Sequence, residues 1–390
     1  LTFITLDNKN WCKGIYYKGQ LIFDTIPENL RRTWRYSHYL ENRDIEYAYL
    51  YSQGCSISDV CPEPLKEEWE NRKKRLNSFH SSFKEAKISL EDNCFFDLVP
   101  EQFLLEICET KTKIIDHVVK NTEKPKNYDL LLSMEKLISF ISEKQLNLDL
   151  NFLKQNLHNQ RARMLLEKVK KSKNIEYNLF GSKTGRLTTK PKTFPILNLD
   201  TSLREVIKPV NDAFVELDFN AAEARVLFGL SGQDQPQEDI HSWNAKKFNI
   251  SREQAKKEIF SWLYGSTKID NTKYEKLFNL DKVLDRFYDG EVVTTIYKRK
   301  IKSDNFHKLN YLVQSTSTDL VFEQVCKIHN LLKNKKSYIS FLVHDSIVID
   351  LAKEDKTIVN ELVNVFSNTL LGTFPVNISI GKDYGSLRKI

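Results

Sequence analysis

No apolar run in this sequence approaches the length needed to cross a bilayer. Its first residues, LTFITLDNKNW, show neither a basic segment followed by an apolar one nor an Arg-rich amphipathic pattern. A soluble, cytoplasmic protein with no membrane partner is expected, in the host cytoplasm if the gene is viral. Cysteine is sparse: Cys12, Cys55, Cys61, Cys94, Cys108 and Cys326 lie far apart with no CxxC pair. That pattern argues against a zinc site and a disulfide framework and points to a reducing compartment. There is no internal repeat and no long linker rich in Gly, Ser or Pro. What is present is globular material: 390 residues, 41% of them hydrophobic, are enough for two or three domains. Lys and Arg outnumber Asp and Glu by 59 to 52, and the resulting +7 is compatible with a nucleic-acid partner. A phage or other AT-rich genome would also encode such a Lys/Asn/Ile-rich chain.

Changes of pattern mark the organisation. The runs TFITL, GIYYKGQLIF and EYAYLY make residues 3–51 a small α/β unit, and residues 63–169 are mostly helical in pattern. EKVKKSKN (Glu167 to Asn174) reads as a solvated basic helix end. From Phe180 onward, strands such as AFVELDF (Ala213 to Phe219), SYISFLVHDSIVIDL and FPVNISIG mix with helices over LNYLVQSTSTDLVFEQVCKIHNLL and KTIVNELVNVFSNTLL. The absence of regular βαβ alternation favours α+β.

Four stretches carry chemistry. In SREQAKKEIFSWLYG, Ser251 is a helix N-cap, and Arg252, Lys256, Phe260 and Tyr264 recur every four residues on one face. Cations followed by rings suit a nucleoside triphosphate, although an amphipathic surface helix gives the same spacing. In FVELDFNAAEAR, Asp218 stands where a strand hands over to a helix, either as a cap or as an oxygen ligand for a divalent metal. One aspartate is a poor magnesium site. Asp345, in the middle of the apolar run FLVHDSIVIDL, is the obvious second ligand, since a carboxylate there needs a partner. GSKTGRLTT offers an Arg and hydroxyls in a turn, and DIH offers His241 after an acidic pair; each is also read as an ordinary surface turn or a structural histidine.

Taken in order, TGRL, DFNAAEAR, DIH, R-x3-K-x3-F-x3-YG, N-x3-Q and VHDS resemble the polymerase core of family A DNA polymerases, over about Phe180 to Ile390 and more loosely from about Leu98. The resemblance implies an α+β right-hand polymerase. Residues 1–80 would be a vestigial exonuclease-like α/β domain and 81–205 the palm start with a reduced thumb. Residues 206–232 would be palm with the first metal aspartate, 233–305 fingers, and 306–390 palm with the second. The implied activity is template-directed addition of dNTPs to a primer 3'-hydroxyl by two-metal phosphoryl transfer. Two Mg2+ ions, replaceable by Mn2+, would be held by Asp218, Asp345 and the backbone carbonyl of Phe219. Arg252, Lys256 and His241 would meet the triphosphate, with Lys256 donating a proton to pyrophosphate. Phe260 would lie by the incoming sugar and base, and Tyr264 near the template base. Glu223 would block the 2'-hydroxyl and bond to Tyr264. Arg186, Asn310 and Gln314 would touch primer or template near the minor groove, and His344 would lie close to the primer terminus. Implied partners are primer-template DNA, dNTPs and replication accessory proteins, with the enzyme itself a monomer.

The departures are specific. The family usually reads HDE, and HDS is similar to single-subunit RNA polymerases, so Ser346 favours an RNA polymerase or primase-like enzyme. Glu223 and Phe260 favour deoxynucleotides, the chain is short for a promoter-reading enzyme, and DNA synthesis is preferred. The paired aspartates speak against a non-catalytic DNA-binding remnant. Ile259-Phe260-Ser261 stands where Asn-Phe-Gly is frequent, and Phe306 where an Arg is frequent. Only one obvious helix between Leu148 and Gly181 implies a reduced thumb and weak processivity. Asp7 is followed by Lys9 where a proofreading site needs Asp-x-Glu, which implies no 3'-5' exonuclease.

Overall fold

In the computed structural model of the chain, residues 1–7, 9, 11–265 and 272–390 are described. They fall into two units, Leu1–Lys136 and Leu137–Ile390. In the first, β1 (Phe3–Thr5), β2 (Gly14–Tyr17) and β3 (Gln20–Phe23) form an antiparallel sheet. Lys18 and Gly19 between β2 and β3 both take positive φ, 51° and 79°, as a two-residue hairpin turn requires, so GIYYKGQLIF is a hairpin. β4 (Arg32–Thr33) and β5 (Glu46–Tyr47) pair in parallel and lead into α1 (Ala48–Tyr51). α2 (Glu63–Glu85) packs on α3 (Glu101–Asn121), which buries Phe103, Leu104, Ile107, Cys108, Ile114, Ile115 and Val118 at three and four spacing. That stripe also packs on α1, β1 and β2, which is why the unit extends well past residue 80. The division between units falls inside α4 (Tyr128–Glu143).

The cysteine expectation is corrected here. Cys12 and Cys94 form a disulfide across a sequence separation of 82 residues, with Cα atoms 5.8 Å apart. Spacing along the chain gives no sign of a pair that only the fold brings to bonding distance. The reducing-compartment inference therefore loses these two cysteines as support.

The second unit begins with β6 (Asn147–Leu148), α5 (Leu150–Gln155), α6 (Gln160–Val169), β7 (Tyr177–Asn178), β8 (Thr188–Thr189) and β9 (Ile207–Lys208). Asp149 and Asn159 cap α5 and α6, so two short helices occupy the stretch in which one was expected. β10 (Ala213–Phe219), α7 (Ala222–Leu230), α8 (Ile240–Phe248), α9 (Arg252–Leu263), α10 (Thr272–Leu277) and α11 (Leu280–Phe287) follow. The hairpin β11 (Val292–Thr294) and β12 (Lys300–Lys302) precedes the long α12 (Lys308–Leu332). The chain closes with β13 (Tyr338–Val343), β14 (Ser346–Leu351), α13 (Val359–Ser367), β15 (Asn368–Thr369), β16 (Gly372–Thr373), β17 (Val376–Gly381) and β18 (Arg388–Lys389). The helix expected to reach Leu371 stops at Ser367, where Asn368 turns extended and a hairpin with Gly372 at φ 100° takes over.

A five-stranded antiparallel sheet, in the order β13-β14-β10-β17-β18, organises this unit. Strand parity separates its faces. Val215, Leu217 and Phe219 of β10, with Ile347 and Ile349 of β14, point one way, where α13 packs and Phe219 stacks on Phe366 at 4.1 Å between ring centroids. Phe214, Glu216 and Asp218 point the other way, beside Ser346 and Asn377. Across β14, β10 and β17 the first face is thus apolar, and the other turns polar toward the end of β10. Among the described residues no helix is long and apolar enough to cross a membrane.

Candidate active site

Asp218 and Asp345 come together because β10 and β14 are neighbours. The register pairs Asp218 with Ser346, which places Asp345, the residue before it, beside the end of β10. His344 and Asp345 form the two-residue turn between β13 and β14, and Ser346 Oγ donates to Val343 O at 3.0 Å across it. His344 has φ 52°, where such turns favour glycine, so the surrounding sheet holds the tip in a conformation with an intrinsic cost of about 1 kcal/mol or more. Asp218 does not cap the following helix: α7 starts after Ala221 with no side-chain cap. Instead Arg225, fully buried, donates to the carbonyls of Asn220 (3.0 Å), Pro236 (2.8 Å) and Glu238 (2.9 Å) and ties down the strand-to-helix turn.

Burial pushes the Asp218 carboxyl up to about 6; a hydrogen bond from Asn377 opposes the shift, and the charges of Glu216 and Asp345 add to it. Burial likewise raises Asp345, against the opposing charges of Arg186 and His344. The convergent donors are carboxylates that form no ion pair among the described residues, a set that fits a hard divalent cation such as Mg2+ and not a soft one. Sequence reasoning missed Asn377, whose Nδ2 donates to Asp218 Oδ2 at 3.2 Å, and Lys389, whose Nζ donates to Asn377 Oδ1 at 2.7 Å. Both stand on strands whose pairing partner is not written in their own residues.

A second cluster gathers four of the predicted residues. Glu223, 5% exposed, accepts from Arg186 at 2.6 Å and lies 3.2 and 3.3 Å from the Tyr264 hydroxyl through its two oxygens. Burial raises the Glu223 carboxyl, with Arg186 opposing. Gln314 on α12 accepts from Thr184 Oγ1, so the TGR turn is fastened at both ends. Gly185 in that turn has φ 82°, and a Cβ there would stand 2.6 Å from the Arg299 guanidinium carbon. Arg299 cannot yield, because Nε and Nη2 both bond to the buried Asp319. Gly185→Ala is accordingly expected to destabilise the protein by about 2–4 kcal/mol, from left-handed strain plus overpacking, measured by urea unfolding.

The third group lies on α8 and α9. Ser251 caps α9 by accepting from Gln254 N at 3.1 Å, and Ala255, Ile259, Trp262 and Leu263 are buried, as the spacing predicts. Arg252 makes two 3.0 Å bonds to Asp239, the cap of α8. Burial alone would raise the Asp239 carboxyl; Arg252 and the Ser242 donors outweigh it and hold that carboxyl well below the usual range. Lys256 is exposed on the same face. Phe260 is half-buried with its ring 5.8 Å from that of His241, a buried residue whose pKa is lowered by burial and by the charges of Lys256, Arg252 and Arg225. Asn310 is half-buried on α12, His344 is exposed, and Phe219 lies in the core at the end of β10.

No family model matches the chain. DNA polymerase I of Caldicellulosiruptor bescii is 25% identical, over 47% of this chain and 28% of the relative, so the match spans less than a third of that protein's length. Among solved structures, the POL domain of Pol1 from M. smegmatis, in complex with DNA primer-template and dNTP, aligns with a TM-score of 0.57. That alignment has 14% sequence identity and covers 73% of this chain and 76% of that domain. The chain is thus similar in sequence to part of a DNA polymerase I, and its fold is similar to that of a polymerase domain.

Proposed function

We propose that this protein is a DNA-directed DNA polymerase that adds dNTPs to a primer 3'-hydroxyl on a template. The observation that carries the reading is the convergence of Asp218 and Asp345 from adjacent strands, next to the Arg186–Glu223–Tyr264 cluster. In this reading residues 206–232 and 306–390 are palm, 233–305 fingers, and 81–205 the palm start and a reduced thumb. Asp218, Asp345 and the Phe219 carbonyl would hold Mg2+, or Mn2+ in its place. Bound there, divalent ions would act as Lewis acids on the primer oxygen and offset charge on the triphosphate.

The remaining work falls to side chains. The primer 3'-hydroxyl gives up its proton to water as its oxygen bonds to the α-phosphorus and the bond to pyrophosphate breaks, and Lys256 gives the leaving group a proton. Arg252 exchanges Asp239 for triphosphate oxygens, which offer its fork the same bidentate geometry. His241 backs Phe260, whose ring lies by the incoming nucleoside, and Tyr264 covers the template side. Arg186, Asn310 and Gln314 contact the primer-template duplex, and His344 the primer end. Accessory replication proteins are further expected partners of a monomeric enzyme.

Glu223 selects the sugar. Held by Arg186 and Tyr264, it cannot swing away from a 2'-hydroxyl. Glu223→Ala is expected to narrow the preference for dNTPs over rNTPs by about a hundredfold in kcat/KM, measured in parallel single-nucleotide insertions. A wild-type enzyme that already prefers rNTPs would establish the RNA polymerase reading instead.

Residues 1–80 are read as an exonuclease-like vestige without activity. Asp7 accepts from the Lys9 backbone at 2.9 Å, and the acidic neighbour such chemistry needs is replaced by Lys9. A mismatched primer should keep its terminal nucleotide on prolonged incubation with Mg2+. Its release, abolished by Asp7→Ala, would refute this.

A further inference from the structure

Ser346 is where the chain departs from the family's HDE, and Glu216 is a carboxylate that the proposed reaction does not use; the fold places them together. Two residues apart on β10, Glu216 and Asp218 share the polar face of the sheet. Asp218 pairs with Ser346 and Glu216 with Val348, so Glu216 and Ser346 are diagonal neighbours on that face, within reach of a long side chain. Their contact is direct: Glu216 Oε1 lies 3.3 Å from Ser346 Oγ.

A glutamate is an unfavourable choice for the central strand of a sheet. Glu216 is half-buried beside the buried Val215 and Leu217, and among the described residues no Lys, Arg or His forms an ion pair with it. The charge of Arg204 acts on it, but that guanidinium sits over the Tyr384 ring at 4.8 Å. Local stability therefore gives no reason for the residue, since a serine or valine would suit the strand better. Its position does give one: it adds negative charge beside Asp218 and touches the residue that follows Asp345.

We propose that Glu216 is a positioning residue of the metal-bearing face, supplying from β10 the third carboxylate that position 346 lacks on β14. The inference rests on the polymerase reading of the site. Glu216 acts through its charge on the Asp218–Asp345 pair and through Ser346, which fixes the first residue after the turn relative to β10. The third carboxylate is thus kept while its strand is exchanged.

The test is Mn2+ binding to the full chain without DNA, followed by electron paramagnetic resonance, for wild type, Glu216→Gln, Glu216→Gln with Ser346→Glu, and Asp218→Asn. Glu216→Gln, nearly isosteric, is expected to weaken Mn2+ binding by about tenfold, the usual scale for a residue supporting metal ligands. Adding Ser346→Glu should restore affinity to within about threefold of wild type, which loss of packing could not do. In primer extension the same variant should raise the KM for Mg2+ more than it lowers kcat at saturating Mg2+. Unchanged Mn2+ affinity in Glu216→Gln, with binding lost in Asp218→Asn, would overturn the proposal and leave the polymerase reading intact. Weakened binding that Ser346→Glu does not restore would overturn the exchange between strands. Unchanged binding in Asp218→Asn would overturn both readings of the face.

Discussion

Asp345→Ala is expected to lower primer extension by at least about a thousandfold at saturating dNTP and Mg2+, since several kcal/mol of charge stabilisation would go with it. The variant should still fold. Asp345 lies in a two-residue turn and forms no strand hydrogen bonds of its own, and burial already disfavours its charged form, so truncation relieves repulsion with Asp218. Asp218→Ala should match it within a few-fold, because the pair works as a unit and its losses do not add. Steady-state extension of a labelled primer, with circular dichroism to check folding, measures both. Activity within tenfold of wild type in either folded variant would remove the observation on which the function rests.

Asp319→Ala is expected to cost about 3–5 kcal/mol of stability, because it leaves the Arg299 guanidinium charged and unpaired. Asp319 is fully buried on α12 and receives bonds from Arg299 at 2.6 and 2.9 Å; the Arg299 side chain is 11% exposed. Asp319 has no water to turn to, and Arg299 has little. The melting temperature should fall by roughly 10 °C by calorimetry for a unit of this size. Replacing both residues, as Arg299→Met with Asp319→Leu, should recover most of the loss, which separates the cost of a stranded charge from that of a lost shape. The double variant should still extend primers poorly. Arg299 also forms the wall against Gly185, and without it the TGR turn no longer holds Arg186 against Glu223.

The local patterns were legible in the chain. AFVELDF alternates as a strand, and Ser251 with the four-residue stripe behind it announces α9, because each depends on neighbours within one or two turns. Aspartates in apolar company flagged the site for an equally local reason: a carboxylate in such surroundings calls for a partner. The ordered motifs pointed to the family, although no single one would have done so.

Long-range pairing decided the rest. That β10 lies between β14 and β17 brings Ser346 and Asn377 to either side of Asp218, and nothing in any of these strands names its neighbour. The Cys12–Cys94 bond, overlooked from spacing, has the same origin, as does the Arg299 wall behind Gly185. Helix caps and strand alternation are short-range effects of side chains on their own backbone. Register and cross-strand contacts are chosen by burial of the whole apolar face, and a slip of one residue would turn Asp218 into the core. Residue order therefore specifies which groups the site contains, while the packing of the sheet on α13 specifies which of them meet.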